Sequence, residues 1–127
     1  DKVTIMAGDV FNGLKQLAKA GKQFHTIILD PPPFTKQKKQ QQEALTGYFE
    51  LHRQAAAVMA KETQLLTCNC SHHISRQQFK TIVVAGLKHA GKKVDIKSVF
   101  GPDGDHPEKS QLPESTYLTG LFMKVKS

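Results

Sequence analysis

The sequence predicts an α/β fold, a layered domain on a mostly parallel sheet, and three observations carry this. Short apolar, β-branched runs alternate with longer segments whose apolar residues recur at helical spacing. One run, His25 to Asp30, is continuously apolar at its centre and stops at three prolines, the pattern of a parallel-type strand that ends in a fixed loop. Helical patterns stand between successive strands, as parallel connections require. The 127 residues, 39% of them hydrophobic, suffice for one core and one domain.

Taken in order, Val3-Thr4-Ile5-Met6 reads as a short strand and Ala7-Gly8-Asp9 as a turn. Val10 to about Ala20 reads as a helix, with Leu14, Leu17 and Ala18 on one face and Gly21 as its stop. His25 to Asp30 is the second strand. Lys36 to Gln42 reads KQKKQQQ, a polar, basic stretch expected as a mobile loop or a solvated first helical turn. From about Thr46 to Ala60, Tyr48, Leu51, Ala55, Val58 and Met59 fall at helical spacing. Thr63 to Asn69 is the third strand. Ser75 suits the N-cap of a helix through about Ala90, with Phe79, Ile82, Val83, Leu87 and Ala90 inward and Gly91 at its close. Val94 to Phe100 alternates as a strand, Gly101 to Pro113 is a Gly-, Pro- and Asp-containing loop, and Tyr117 to Val125 is a last strand. No helix precedes that last strand, which permits it an antiparallel pairing at the end of the sheet.

Lys and Arg number 18 against 11 Asp and Glu, a formal charge of +7, which favours a polyanionic partner. No apolar run approaches the ~18 residues of a membrane helix, and no basic-then-apolar leader opens the chain. Cys68 and Cys70, one residue apart, cannot staple a small secreted fold, so a reducing cytoplasm is expected. The chain opens on Asp1 and is already strand-like at Val3, which suggests a piece of a longer protein.

Open α/β sheets bind ligands beyond the carboxyl ends of their strands. Gly8-Asp9, Asp30-Pro31-Pro32-Pro33-Phe34 and Cys70-Ser71-His72-His73 each follow a strand and should open onto one sheet edge. A carboxylate, carbonyls free of ladder partners and an aromatic ring suit the amide edge and flat face of a nucleobase; Asp-Pro-Pro equally serves as a plain strand terminator. Cys70, followed by two histidines and a helix start, is either a thiol activated by positive neighbours or a structural cysteine. Cys68 lies further inside its strand and reads as structural. Asp9 either meets a ligand amine or caps its helix, the cap being the simpler reading. The Cys-x-Cys and His-His spacing fits no usual zinc set, so no metal is expected. Asp105, His106, Glu114 and Tyr117 suggest a hydrolytic triad only weakly, because no G-x-S-x-G elbow is present. No P-loop and no G-x-G-x-x-G occurs.

In their order, Gly8-Asp9-Val10-Phe11, Phe24 to Phe34, Gly47-Tyr48, Cys70-Ser71-His72-His73, Asp105-His106-Pro107, Glu114 and Tyr117-Leu118 resemble the C-terminal half of S-adenosylmethionine-dependent ribosomal RNA methyltransferases. The nearest group is the bacterial large-subunit cytosine-C5 enzymes that carry a PUA domain. The resemblance runs along essentially the whole chain. Asp-Pro-Pro alone is common among nucleic-acid methyltransferases; with Phe34, Cys-Ser-His-His and Asp-His-Pro it is more specific. It implies a Rossmann-like class I sheet lacking its N-terminal part, with residues 1–127 the C-terminal portion of the catalytic domain. It also implies S-adenosylmethionine as cofactor, held by Gly8, Asp9, Val10, Asp30 and Pro31. Cys70 would be the nucleophile at C6 of cytosine and Asp30 would bind the N3/N4 edge. Pro32, Phe34, Lys36, Lys38, Lys39 and His72 would meet the RNA, the base being flipped out or already single-stranded. Arg53, Lys92 and Lys93 are weaker phosphate candidates.

The family's glycine-rich turn and ribose-binding acid are missing from this sequence and are expected upstream, in the same polypeptide. Their absence predicts weak cofactor affinity for the piece alone, and without the family's first two strands Ile27-Ile28-Leu29 would be a bare edge, open to a homodimer or strand swap. Two other functions compete: base-N methylation through Asp-Pro-Pro without cysteine chemistry, and a non-catalytic RNA-binding module whose binding depends on salt and ignores the cofactor.

Overall fold

The computed structural model describes residues 8–32, 41–70, 74–101 and 118–127. The expected strand at Val3–Met6 and most of the loop after Phe100 lie outside them. The described elements are α1 (Val10–Lys19), β1 (Phe24–Leu29), α2 (Gln41–Ala55), a 3-10 turn (Ala56–Val58), β2 (Met59–Asn69), α3 (Arg76–His89), β3 (Lys93–Phe100) and β4 (Thr119–Lys126). No described helix is long and apolar enough to cross a membrane.

The strands form one sheet in the order β1-β2-β4-β3. β1 pairs parallel to β2, while β4 pairs antiparallel to both β2 and β3. Three described strands therefore share one direction and the last opposes them, as the sequence predicts. The position of the last strand is a correction: β4 lies inside the sheet, between β2 and β3. Burial explains the exchange. Leu121, Met123 and Val125 of β4 are fully buried. In β3, Lys93, Asp95 and Lys97 are exposed, Lys97 pairs with Asp95 at 2.8 Å, and the register slips between Ile96 and Ser98. Charges and a bulge are edge-strand features.

Successive strand residues point to opposite faces. Thr63, Leu65, Thr67 and Asn69 of β2 share the buried face with Leu121, Met123 and Val125. The inward residues of α2 and α3, Tyr48, Leu51, Phe79, Val83 and Leu87, join Leu65 and the β4 residues in one core. The Phe79 ring meets Tyr48 edge-on at 5.2 Å and His52 at 6.2 Å. The two helices approach closely at Gly86, where a Cβ would come 2.7 Å from the Phe49 carbonyl oxygen. Leu14, Leu17 and Ala18 turn α1 toward the core, as predicted. The other face of the sheet carries Leu66, Cys68, Phe122 and Ile28, the last 66% exposed.

Three boundaries around the second helix differ from expectation. The second helix begins earlier, at Gln41 within the glutamine run, and ends at Ala55 rather than Ala60; β2 starts at Met59 rather than Thr63. Val58 and Met59 are buried in a 3-10 turn and a strand just as they would be in a helix, so hydrophobic spacing could not mark the change. β1 reads as a buried strand in the sequence, yet only Ile27 and Leu29 are half-buried, because among the described strands β1 pairs with β2 alone. The third helix matches its prediction. Ser75 and Gln78 form a reciprocal capping box, at 3.0 and 2.9 Å. Gly91 closes it at φ +86 with Lys92 N–H bonding the Leu87 carbonyl. Ala90, expected inward, is the exposed C-cap residue.

Candidate functional site

Parallel pairing brings the carboxyl ends of β1 and β2 to one end of the sheet. Leu29 and Thr67 are the last residues in register, so Asp30 and Cys68 follow side by side. Their proximity is felt by the Cys68 thiol, which burial pushes up first, with the Asp30 carboxylate and then Cys70 adding to the effect. A raised thiol is a poor nucleophile, consistent with the structural reading of Cys68; it is half-buried rather than enclosed. Cys70, on the same side by the two-residue period, is half-buried at the strand end. Asp30 and Pro32 are exposed and Pro31 is half-buried. The structure thus brings together Asp30, Pro31 and Cys70.

Behind this edge lies a buried polar network that sequence reasoning missed. The Tyr48 hydroxyl donates to Asn69 Oδ1 at 2.8 Å, and Asn69 Nδ2 donates to the Ile74 carbonyl at 3.3 Å. His52 Nδ1 lies 2.7 Å from the Tyr48 carbonyl, and Nε2 lies 2.7 Å from Thr67 Oγ1. A carbonyl only accepts, so Nδ1 carries the proton and the Thr67 hydroxyl donates to Nε2. Burial lowers the His52 pKa to about 4, against the opposing pull of the Tyr48 carbonyl. The available signal was Thr67 and Asn69 at the inward period of β2, opposite a helix face bearing Tyr48 and His52 four residues apart.

Asp9 stands at the N-cap position of α1, but its side chain makes no capping bond. That corrects the simpler reading; only its backbone carbonyl is engaged, by Gly13 N–H at 3.0 Å. A cavity of about 430 Å³ opens here, lined by Gly8, Asp9, Val10, Asn12 and Gly13 among others. Gly8 takes φ +133 with open space around it, a conformation that side-chain-bearing residues rarely adopt. Asp30 and Cys70 do not line this cavity.

Phe34, Lys36, Lys38, Lys39 and His72 lie outside the described residues, as do Asp105, His106, Glu114 and Tyr117. The weaker cation candidates are placed away from the site. Lys92 and Lys93 precede and open β3, where Lys93 pairs with Lys126, at the sheet's amino end. Arg53 is held bidentately by Glu50, at 2.9 and 2.8 Å. That guanidinium lowers the Glu50 pKa to about 2, and the carboxylate in turn raises that of Arg53.

This architecture is that of the S-adenosylmethionine-dependent methyltransferase fold. A candidate SAM-dependent methyltransferase from Streptococcus mutans superposes with a TM-score of 0.71 at 21% identity, covering 92% of this chain and 29% of that one. A second candidate methyltransferase, solved in complex with SAH, gives 0.69 at 21% identity, covering 92% of this chain and 30% of the other. More particularly, the sequence is 35% identical over 125 residues to Ribosomal RNA large subunit methyltransferase I of Pseudoalteromonas translucida, covering 98% of this chain and 32% of the relative. The protein of the same name from Aeromonas salmonicida is 33% identical over 118 residues, covering 93% and 30%. The chain therefore spans about a third of the length of the curated relatives it matches. No protein-family model matches it.

Proposed function

We propose that this chain is the C-terminal part of the catalytic domain of an S-adenosylmethionine-dependent methyltransferase acting on ribosomal RNA, with cytosine C5 as the methylated atom and Cys70 as nucleophile. The observation that carries this reading is the placing of Asp30 and Cys70 at adjacent carboxyl ends of parallel strands. The likeness to rRNA methyltransferase relatives along nearly the whole chain supports the substrate class.

The residues present fit the cofactor. Asp9 keeps its carboxylate out of the helix cap, and Gly8 leaves open space beside it. Gly8, Asp9 and Val10 would hold the adenine side, with Asp30 and the Pro31 backbone between the methionine end and the base. When bound, the cofactor supplies an electrophilic methyl group on a sulfonium.

The chain's own residues do the rest. The Cys70 thiolate adds to C6 of cytosine, which moves electron density onto C5 and makes that carbon nucleophilic. Asp30 accepts hydrogen bonds from the N4 amine and from protonated N3, favouring the activated base. After C5 is methylated, water takes its proton, the Cys70–C6 bond breaks and N3 gives up its proton, restoring the aromatic ring and the thiolate. The base must be extruded or already unpaired for Cys70 to reach C6.

The test is methyl transfer to ribosomal RNA by the natural gene product and its Cys70→Ser variant, with the modified nucleoside identified by mass spectrometry. The reading predicts 5-methylcytidine from the wild type and none from Cys70→Ser. A variant that retains full activity, or a product methylated on a base nitrogen, would transfer the assignment to amine methylation through Asp-Pro-Pro.

A further inference from the structure

We propose that Asn69 is a positioning residue for Cys70, an inference that rests on the nucleophile reading above. Asn69 is the last residue of β2, fully enclosed, and immediately precedes Cys70. The residue links β2 to three neighbouring segments, two through its side chain and one through its backbone. The oxygen accepts from Tyr48 of α2 at 2.8 Å. The amide donates to the Ile74 carbonyl at 3.3 Å, at the lead into α3. Its backbone pairs β2 with β4 through Thr119.

Each of these anchors is itself fixed. Tyr48 is buried edge-on against Phe79 of α3, and its backbone carbonyl accepts from His52, which in turn accepts a hydrogen bond from the hydroxyl of Thr67, two residues before Asn69. Ile74 is buried and is followed at once by the Ser75–Gln78 capping box. Gln78 also accepts from Gln41 at 3.2 Å, tying the starts of α2 and α3 together. The backbone is thus clamped at Asn69 and at Ile74, and the Asn69 side chain bonds both Tyr48 of α2 and the Ile74 carbonyl ahead of the α3 cap. A nucleophile displaced by a fraction of an ångström loses rate steeply, so a clamp one residue away has leverage on the chemistry without touching substrate.

Two variants test this in the natural gene product. Asn69→Ala removes the clamp. Tyr48→Phe keeps the ring against Phe79 and removes only the hydroxyl, so it guards against a fold that fails. Iodoacetamide alkylation, resolved by tandem mass spectrometry of the peptide carrying both thiols, gives separate rates for Cys68 and Cys70. The expected result is a change of roughly three-fold or more in the Cys70 rate in both variants with the Cys68 rate unchanged, and a kcat lowered ~10-fold at unaltered KM for S-adenosylmethionine. Unchanged Cys70 reactivity in both variants overturns the proposal, as does a parallel rise at both thiols, which reports general loosening. The alkylation readout needs no turnover. If Cys70→Ser retains methyl transfer, the nucleophile reading fails while the Asn69 comparison still gives its own answer.

Discussion

At the scale of single residues, the electrostatic setting of Cys68 is the most informative feature. Cys68 is pushed toward its protonated form by burial and by the carboxylate of Asp30. Replacing Asp30 with Asn removes that charge and should make Cys68 more acidic; the pH profile of its alkylation reads this directly. The same substitution should depress methyl transfer strongly, ~10²-fold or more, because the charge held against the base edge is lost. His52 carries a second prediction. Burial holds the native His52 at about 4, below the ordinary 6.5 of an unfolded histidine, so the unfolded state binds the extra proton between these values. Stability from this source is complete above pH 6.5 and is lost as pH falls toward 4, about 3 kcal/mol in all. Urea unfolding followed from pH 7 to pH 4 should show the decline, and His52→Gln should flatten it. The structural character of Cys68 was legible in the sequence, but the His52 network was not. A histidine on a helix reads as a surface cation until the strand opposite supplies Thr67, and Asp9 read as a cap because only geometry reveals that its carboxylate is free.

At the scale of elements, local chemistry predicted the structure where it had a mechanism. Ser75 with Gln78, and Gly21 and Gly91 at φ +74 and +86, mark helix ends by hydrogen bonds that the sequence itself specifies. The end of α2 was not legible, since Val58 and Met59 are buried whichever element holds them. Ser75→Ala should cost about 1 kcal/mol by thermal or urea unfolding, the usual worth of an N-cap. Gly86→Val should be far more damaging, because even a Cβ would stand 2.7 Å from the Phe49 carbonyl and the backbone must move to admit it. That cost belongs to overpacking, typically 1–3 kcal/mol and here at the upper end, and circular dichroism melts would reveal it.

At the scale of the whole molecule, the sheet explains both the site and its setting. Codirectional β1 and β2 place Asp30 and Cys70 at one end of the sheet, and the inserted β4 binds β2 and β3 into a single layer. The alternation of strands and helices made this class legible; the order of strands was not, because long-range pairing follows from burial of Leu121, Met123 and Val125 against a charged β3. The two outer strands of the described sheet differ sharply. Both strands shift register, but β3 is charged, while β1 carries exposed Phe24 and Ile28 and no Lys, Arg, Asp or Glu. The 127-residue chain alone should therefore self-associate in light scattering, and Ile28→Lys should return it to monomer; a monodisperse wild-type monomer would contradict this. The central claim concerns the bond between Cys70 and the base. The most direct measurement is incubation of the natural gene product with S-adenosylmethionine and ribosomal RNA containing 5-fluorocytidine, read on a denaturing gel and by peptide mass spectrometry. Fluorine at C5 cannot leave as a proton does, so the account predicts a stable protein–RNA adduct at Cys70, absent from Cys70→Ser. Methyl transfer to ordinary RNA with no adduct, or an adduct that survives in Cys70→Ser, would contradict it.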